Sequence, residues 1–231
     1  MRRYGWLVLV GCVGCSSPTP TAPTPVEVTP PPVVTAPVVT PPVSTPPTPN
    51  PLLSDPRFNL TFYHQFTSRP LYRWNRAPQV YLRTVDDTGR AVDASILDQT
   101  AAAMINAASL LAGGAFGLAG IERGTETRNA DGWINVSWAA MSGLCGLTNL
   151  TRFGLNQEIT ASTITLNPAV TACTCGGVAR HELGHAMGYQ HTDSTADLMS
   201  SEYRGCTAAL SEREQFHARV AYSMPLGSLE P

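Results

Sequence analysis

The stretch from His181 to His191 constrains this chain more than any other part of it. It reads H-E-x-x-H-x-x-G-x-x-H. Because a helix has 3.6 residues per turn, His181 and His185 share one helix face and Glu182 lies beside them. Gly188 can adopt the left-handed conformation that ends a helix and reverses the chain, so His191 can return to the same point. The spacing predicts three imidazoles that converge on one metal ion.

The predicted ligands form the donor set of a catalytic zinc site. Three histidine nitrogens leave the fourth position of a tetrahedral Zn²⁺ open for water, whereas structural sites have four protein ligands. Zinc lowers the pKa of its bound water to about 7, and Glu182 is placed to act as general base and then acid. We expect one catalytic Zn²⁺ on His181, His185 and His191, and the sequence leaves structural Ca²⁺ open.

A methionine follows the histidines in the segment Asp197-Leu198-Met199. Together with the histidine stretch, this segment resembles the metzincin zinc peptidases, and among them the matrixins, over the C-terminal part of the chain. The resemblance implies peptide-bond hydrolysis and a tight turn, the Met-turn, that places Met199 beneath the zinc. Matrixins continue with Tyr-Pro where this chain has Ser200-Ser201. Some metzincins use a nearby tyrosine to bind the oxyanion, but for Tyr203 we favour packing in the pocket wall.

The first residues have the pattern of an export signal. Arg2-Arg3 precede an apolar run that is too short to span a bilayer. The run ends in Leu9-Val10-Gly11-Cys12, which resembles the lipobox of bacterial lipoproteins, and Cys15 is a rival position after a longer apolar stretch. We predict a signal peptide within residues 1–15 with lipidation at Cys12 or Cys15, or else a plain secretory signal. In bacterial lipoproteins, an Asp directly after the lipidated cysteine resembles a signal for retention in the inner membrane. Neither cysteine is followed by Asp, so we expect the outer membrane.

A proline-rich segment follows the signal. Residues 18–56 hold fifteen of the chain's twenty prolines, mixed with Thr, Val and Ser. Proline fixes φ and removes a backbone donor, so such a segment forms no packed core and extends by about 3.1 Å per residue. We predict a disordered linker over residues 16–56 and one folded domain over residues 57–231, a length that can bury its own core.

Charge and composition limit the partners. The formal net charge is −2, and no basic stripe or nucleic-acid motif occurs, so nucleic acid is not expected as a partner. Contact with a membrane is expected through the lipid anchor alone. We expect a monomer whose partner is a peptide or protein substrate.

The predicted domain contains four cysteines, an even number that predicts two disulfides in an exported protein. Cys173 and Cys175 are too close in sequence to pair comfortably with each other, so each is expected to reach Cys145 or Cys206. Those bonds would brace the loops on either side of the histidine helix. The C-x-C spacing does not favour a second metal site.

Local patterns predict the order of the elements. The predicted strands are residues 79–85, 116–121, 133–138 and 159–166, and the predicted helices are residues 95–111, 177–187 and 211–222. Ser211 and Glu214 have the spacing of a capping box at the last helix. By resemblance, this order is that of a metzincin-like zincin domain. Such a domain is an α+β fold with a twisted, mostly parallel sheet, a long helix, the catalytic HExxH helix, the Met-turn and a C-terminal helix.

The resemblance also implies where a substrate binds. Residues 162–166 would form the sheet edge along the cleft, to which a peptide could add as an antiparallel strand, or they are an ordinary core strand. The segment of residues 192–204 is expected to form the pocket wall that sets side-chain specificity. His64 and His217 are expected to be isolated surface or core histidines.

We therefore expect a zinc-dependent endopeptidase held at the cell envelope. One alternative is a non-catalytic binding module of the cell envelope whose fold is stabilised by zinc. Another is a zinc amidase that acts on a non-peptide amide. The intact Glu182 argues against the first, and the metzincin resemblance argues against the second.

Overall fold

Five strands and four helices make up the part of the chain that the structure describes. This structure is a computed structural model, and it describes residues 50–170, 173–202, 206 and 208–231. The strands are β1 (Gln79–Arg83), β2 (Gly120–Gly124), β3 (Trp133–Trp138), β4 (Gly146–Phe153) and β5 (Ile159–Leu166). The helices are α1 (Leu60–Phe66), α2 (Ala94–Leu111), α3 (Gly176–Ala186) and α4 (Glu212–Ser223), with short 3-10 turns at Pro51–Ser54 and Leu155–Gln157.

The five strands form one sheet in the order β2-β1-β3-β5-β4. Four of the strands run parallel to one another: β2, β1, β3 and β5. The fifth strand, β4, lies at the edge and runs antiparallel to β5. A parallel neighbour needs a long crossover, and α2 provides the one from β1 to β2. The predicted α+β class with a mostly parallel sheet is confirmed.

Of the two interpretations of residues 162–166, the sheet edge is wrong and the core strand is confirmed. These residues belong to β5, in which Ser162 has Ile134 of β3 on one side and Leu150 of β4 on the other. The edge strand is β4, which the sequence did not predict. Its half-buried positions include Gly146 and Thr148, whereas Leu147 is exposed, so it lacks the apolar alternation that marks a strand.

The remaining element predictions agree with the structure to within two residues at each end, except for β2 and α1. The predicted strand 116–121 is displaced, because Phe116 and Leu118 pack against the core from the loop before β2. Helix α1 was not predicted. It begins after Asn59, whose side chain accepts a hydrogen bond from the backbone N–H of Phe62.

Helices α2 and α3 pack against each other and against the sheet. Met104 and Leu111 of α2 and Leu183 of α3 are fully buried. The fully buried strand residues are Val80, Leu82, Ile134, Val136, Ile159 and Ile164. Because burying one such side chain stabilises a fold by about 1.5–3 kcal/mol, this core fixes α3 and the histidines it carries relative to the sheet.

Residues 50–56, which the sequence assigns to the end of the linker, contact the domain. The Asn50 side chain accepts a hydrogen bond from Leu52 N (3.1 Å) and donates one to Ser223 Oγ at the end of α4 (2.7 Å). Leu52 and Leu53 pack against the core. The domain thus includes residues from Asn50 onward.

The predicted signal peptide, Cys12, Cys15 and the linker as far as residue 49 lie outside the described residues. Within the described ranges, no helix is both long and apolar enough to cross a membrane.

Two disulfides join the loops around α3. Cys145 pairs with Cys173 and Cys175 pairs with Cys206, which confirms that Cys173 and Cys175 each reach one of the other two. Cys173 and Cys175 immediately precede α3, so the bonds tie the β3–β4 loop and the segment after Met199 to the start of this helix. Two disulfides are typical of a protein in an oxidising, extracytoplasmic environment.

Candidate metal centre

Helix α3 and the loop after it bring the three histidines together. His181 and His185 lie one turn apart near the end of α3, which stops at Ala186. Gly188 follows with φ +105°, as predicted for the residue that reverses the chain. A Cβ atom at Gly188 would also overlap with the carbonyl oxygen of Tyr72. Glycine is therefore required both by the backbone conformation and by the packing, and His191 returns toward α3.

Tyr189 fixes the path of this loop. Its backbone N–H donates to Gly184 O (3.1 Å), and its hydroxyl donates to Leu111 O of α2 (2.5 Å). Its ring stacks on Phe66 with centroids 4.2 Å apart. His191 thus follows a segment that is anchored to α1, α2 and α3.

The Nε2 atoms of the three histidines converge. The Nε2–Nε2 distances are 3.1 Å between His181 and His185, 3.0 Å between His185 and His191, and 3.2 Å between His181 and His191. Tetrahedral zinc with Zn–N bonds of 2.0–2.1 Å requires ligand nitrogens about 3.3 Å apart. The three nitrogens therefore have the spacing of ligands on one face of a tetrahedral ion.

The hydrogen bonds of the rings strengthen this assignment. His181 Nδ1 lies 2.7 Å from Leu198 O, and His185 Nδ1 lies 2.8 Å from Tyr189 O. A carbonyl oxygen only accepts, so each Nδ1 carries the proton, and in a neutral ring Nε2 then carries a lone pair. Two lone pairs thus face each other with no proton between them. This arrangement repels unless a cation lies among the nitrogens, so the donor set fits a metal ion.

Burial keeps these rings neutral. It lowers the pKa of His185 to about 4, and the neighbouring His181 adds to this effect. Burial is also the main cause of the lowered pKa values of His181 and His191. A metal ion binds neutral imidazole, so the site is in its ligating form at neutral pH.

Glu182 lies on the side of α3 that faces β4. Only 5% of its surface is exposed, and this burial raises the pKa of its carboxyl to about 7. The Thr148 hydroxyl of β4 donates to Glu182 Oε2 (2.7 Å), which opposes the rise. A Cβ atom at Gly146 would overlap with the Glu182 carboxylate, so β4 approaches it closely. The sequence identified Glu182 but neither Gly146 nor Thr148.

Met199 lies beneath α3. Its side chain is fully buried, and its sulfur lies against Gly184, where a Cβ atom would overlap with it. Leu198, the preceding residue, supplies the carbonyl oxygen that holds His181 Nδ1. Tyr203, the residue considered for an oxyanion role, lies outside the described residues.

The start of α4 supports this turn. Glu214 forms the predicted capping box with Ser211, which is confirmed. Its fully buried carboxylate also accepts hydrogen bonds from Leu198 N (3.0 Å) and Met199 N (2.8 Å). Asp197 accepts hydrogen bonds from Ser211 Oγ (2.8 Å) and from the Arg213 guanidinium. The capping pattern revealed Glu214 in the sequence, but not its hydrogen bonds to the turn beneath the three histidines.

A cavity of about 310 Å³ lies beside His181 and His191. The β3–β4 loop, the start of α3 and the segment after Met199 form its walls. Its apolar walls are Leu144, Val178, Leu198 and Ala208, and its polar lining includes Ser200, Ser201 and Glu202. The described part of residues 192–204 therefore contributes to the pocket wall, as predicted. The disulfide residue Cys145 also lines the cavity.

The outer edge of β4 borders the same site. Cys145 O accepts a hydrogen bond from Asn167 N (2.9 Å) at the start of the β4–β5 ladder. Hydrogen-bonded pairs alternate along an antiparallel ladder, so the peptide groups of Gly146 and Thr148 point away from β5. No strand among the described residues pairs with this edge.

The other two histidines have separate surroundings, as expected. His64 pairs with Glu230 at the surface (2.7 Å), and His217 is buried and accepts a hydrogen bond from Asn59 N (3.0 Å). Within the described residues, His181, His185 and His191 are the one group of three or more potential ligands that could hold a metal ion.

Comparison with known proteins finds no matching family model and no matching curated protein. The geometry therefore defines the class of site by itself: three convergent neutral imidazoles beside a buried carboxylate, at the free edge of a sheet.

Proposed function

We propose that this protein is a zinc-dependent endopeptidase of the matrixin-like metzincin type. The observation that carries the proposal is the convergence of three imidazole Nε2 atoms, 3.0–3.2 Å apart, next to the buried carboxylate of Glu182. A structural zinc site would have a fourth protein ligand. Among the described residues, the ligand group contains three side chains, as in catalytic sites.

His181, His185 and His191 would hold the zinc. When bound, Zn²⁺ acidifies a water molecule and polarises a carbonyl group. Glu182 acts as the general base: its carboxylate takes the proton of the attacking water at one oxygen and passes it to the nitrogen of the departing amine. Its raised pKa, about 7, suits a group that must both accept and release a proton near neutral pH.

The free edge of β4 supports a peptide substrate. An extended peptide can pair with the outward peptide groups of Gly146 and Thr148 as an antiparallel strand. Because these contacts involve the backbone, many sequences can bind. The peptide then runs from the Phe153 end of β4 toward Gly146, and the cavity beside His181 receives a side chain that follows the scissile bond.

Activity and metal content test the proposal together. The purified protein should contain one zinc per chain and cleave a peptide mixture, and a chelator should abolish cleavage until zinc is restored. Glu182→Gln should retain zinc and lose about 10²–10⁴-fold in kcat. Zinc-loaded wild type that cleaves no peptide would favour the binding module, and hydrolysis of non-peptide amides alone would favour the amidase. Glu182→Gln cleaving at the wild-type rate would refute the mechanism.

We further propose that the enzyme is exported and held in the cell envelope by a lipid on Cys12 or Cys15, with the proline-rich residues 16–49 as its tether. The mass of the mature N-terminal peptide from membrane-extracted protein identifies the modified cysteine. Cys12→Ser and Cys15→Ser provide the matched pair, because one of the two should release the protein from the membrane fraction. If the wild-type protein is already outside the membrane fraction and its N-terminal peptide carries no lipid, the plain secretory signal is the correct interpretation.

A further inference from the structure

We propose that Thr148 is a positioning residue that orients the carboxylate of Glu182 for proton transfer. This inference rests on the proposed function, because it concerns the same base. The motif of residues 181–191 does not contain Thr148, which lies on the edge strand β4, opposite Ile164 of β5.

The contact between the two side chains is short and directional. Thr148 Oγ1 lies 2.7 Å from Glu182 Oε2 and 3.0 Å from the backbone oxygen of Glu182. The hydroxyl has one proton to donate. An ionised acceptor forms the stronger hydrogen bond, and the carboxylate oxygen is also the closer one, so the proton goes to Oε2.

Gly146 completes the surroundings of the carboxylate. The other oxygen, Oε1, lies so close to Gly146 that a Cβ atom there would overlap with it. Strand β4 therefore forms a socket for the Glu182 carboxylate, defined here as the Thr148 hydroxyl at one oxygen and the bare backbone of Gly146 at the other. Both parts of the socket come from the same face of the same strand.

The socket matters because a glutamate side chain is flexible. Fixing such a side chain costs rotamer entropy, and a misplacement of about 1 Å can slow a reaction by about 10²-fold. The hydroxyl occupies Oε2 and leaves Oε1 to exchange the proton. The hydrogen bond from Thr148 thereby reduces the number of orientations that the Glu182 carboxylate can adopt.

The same residue faces the substrate. The side chain of Thr148 contacts Glu182, while its peptide groups point to the free edge where the peptide is proposed to pair. A substrate bound to this edge would thus have a fixed position relative to β4, the strand that holds the Glu182 carboxylate. Thr148 links the position of the scissile bond to the position of the carboxylate.

Thr148→Val and Thr148→Ser test the inference. Val keeps the β-branched shape and removes the donor, and Ser keeps the donor. Thr148→Val should lower kcat by about tenfold to a hundredfold, with KM and zinc content near wild type, and Thr148→Ser should restore kcat. In the Glu182→Gln background, Thr148→Val should cause no further loss, because the group that it positions has been replaced.

Thr151→Val is the matched control, because Thr151 is exposed on the same strand. Wild-type kcat in Thr148→Val, no rescue by Ser, or an equal loss in the Glu182→Gln background would overturn the inference. If Thr148→Val does not fold, Thr148→Ala replaces it in the same comparison. The proposed function fails separately, when Glu182→Gln alone leaves the rate unchanged.

Discussion

The two walls of the cleft differ in how their chemistry is encoded. The helix wall, defined as α3 with the loop to Met199, carries its reactive groups in one short stretch of sequence. The strand wall, defined as β4, places Gly146 and Thr148 against Glu182 although they are more than thirty residues away. In the proposed enzyme, the helix wall would supply the metal ligands and the base, whereas the strand wall would hold the base and position the substrate.

The largest effect is expected on the helix wall. His185→Ala removes the central member of the three nitrogens and should abolish both stoichiometric zinc binding and cleavage, because two histidines do not complete a catalytic zinc site. Elemental analysis of the purified variant measures the metal. His64→Ala is the control, since His64 pairs with Glu230 at the surface. Full zinc loading in His185→Ala would show that the nitrogens are not the ligands.

The strand wall is expected to give the next largest effect. Gly146→Ala introduces a Cβ atom that overlaps with the Glu182 carboxylate. The base must move, so kcat should fall by about 10²-fold while zinc content stays at one per chain. Gly120→Ala, at the start of β2, is the matched change, because a Cβ there meets no atom within 4 Å. Equal kcat values in the two variants would show that the strand wall does not position the base.

A smaller effect is expected beneath the metal site. Glu214→Ala leaves the N–H groups of Leu198 and Met199 without their acceptor, which should cost about 3 kcal/mol of unfolding free energy. Because Leu198 also holds His181, zinc affinity should fall by about tenfold. Thermal unfolding and zinc titration measure the two losses. Glu212→Ala, exposed in the same helical turn, should change neither. A similar loss in both variants would point to negative charge in the first turn of α4 and not to the hydrogen bonds of Glu214.

The smallest effect concerns pH. Burial opposes ionisation of Asp197, but hydrogen bonds from Arg213 and Ser211 outweigh it and lower its pKa below the ordinary value. Ionised Asp197 therefore stabilises the fold above its unfolded pKa of about 3.9, and this contribution is lost as pH falls through the lower folded pKa. Asp197→Asn should thus unfold at a lower temperature than wild type at pH 7. The difference should shrink at pH 3, and an unchanged difference would contradict this assignment.

The helix wall could be predicted from the sequence because its geometry is local. Helical periodicity aligns His181 and His185, and the glycine requirement at Gly188 follows from one backbone turn. The same is true of the capping box at Ser211 and Glu214. The closeness of Cys173 and Cys175 in sequence excludes a bond between these two cysteines. The sequence does not say which of them pairs with Cys145, and the structure shows that it is Cys173.

The strand wall could not be predicted in this way. Gly146 and Thr148 at half-buried positions and Leu147 at an exposed one break the alternation by which strands are recognised. No strand is therefore predicted at residues 146–153, and residues 162–166 are left as either the edge strand or a core strand. Thr148 and Gly146 have no local signal, because their roles depend on how closely β4 approaches α3. The same holds for Glu214, whose bonds to the Met-turn join residues from separate elements.

The metal environment tests the central claim most directly. X-ray absorption at the zinc edge, on protein purified without added metal and then given one equivalent of zinc, reports the ligand atoms and their distances. The account predicts one tightly bound zinc with three imidazole nitrogens at about 2.0–2.1 Å and an oxygen from water. Sulfur ligands at about 2.3 Å, or failure to take up zinc, would contradict it.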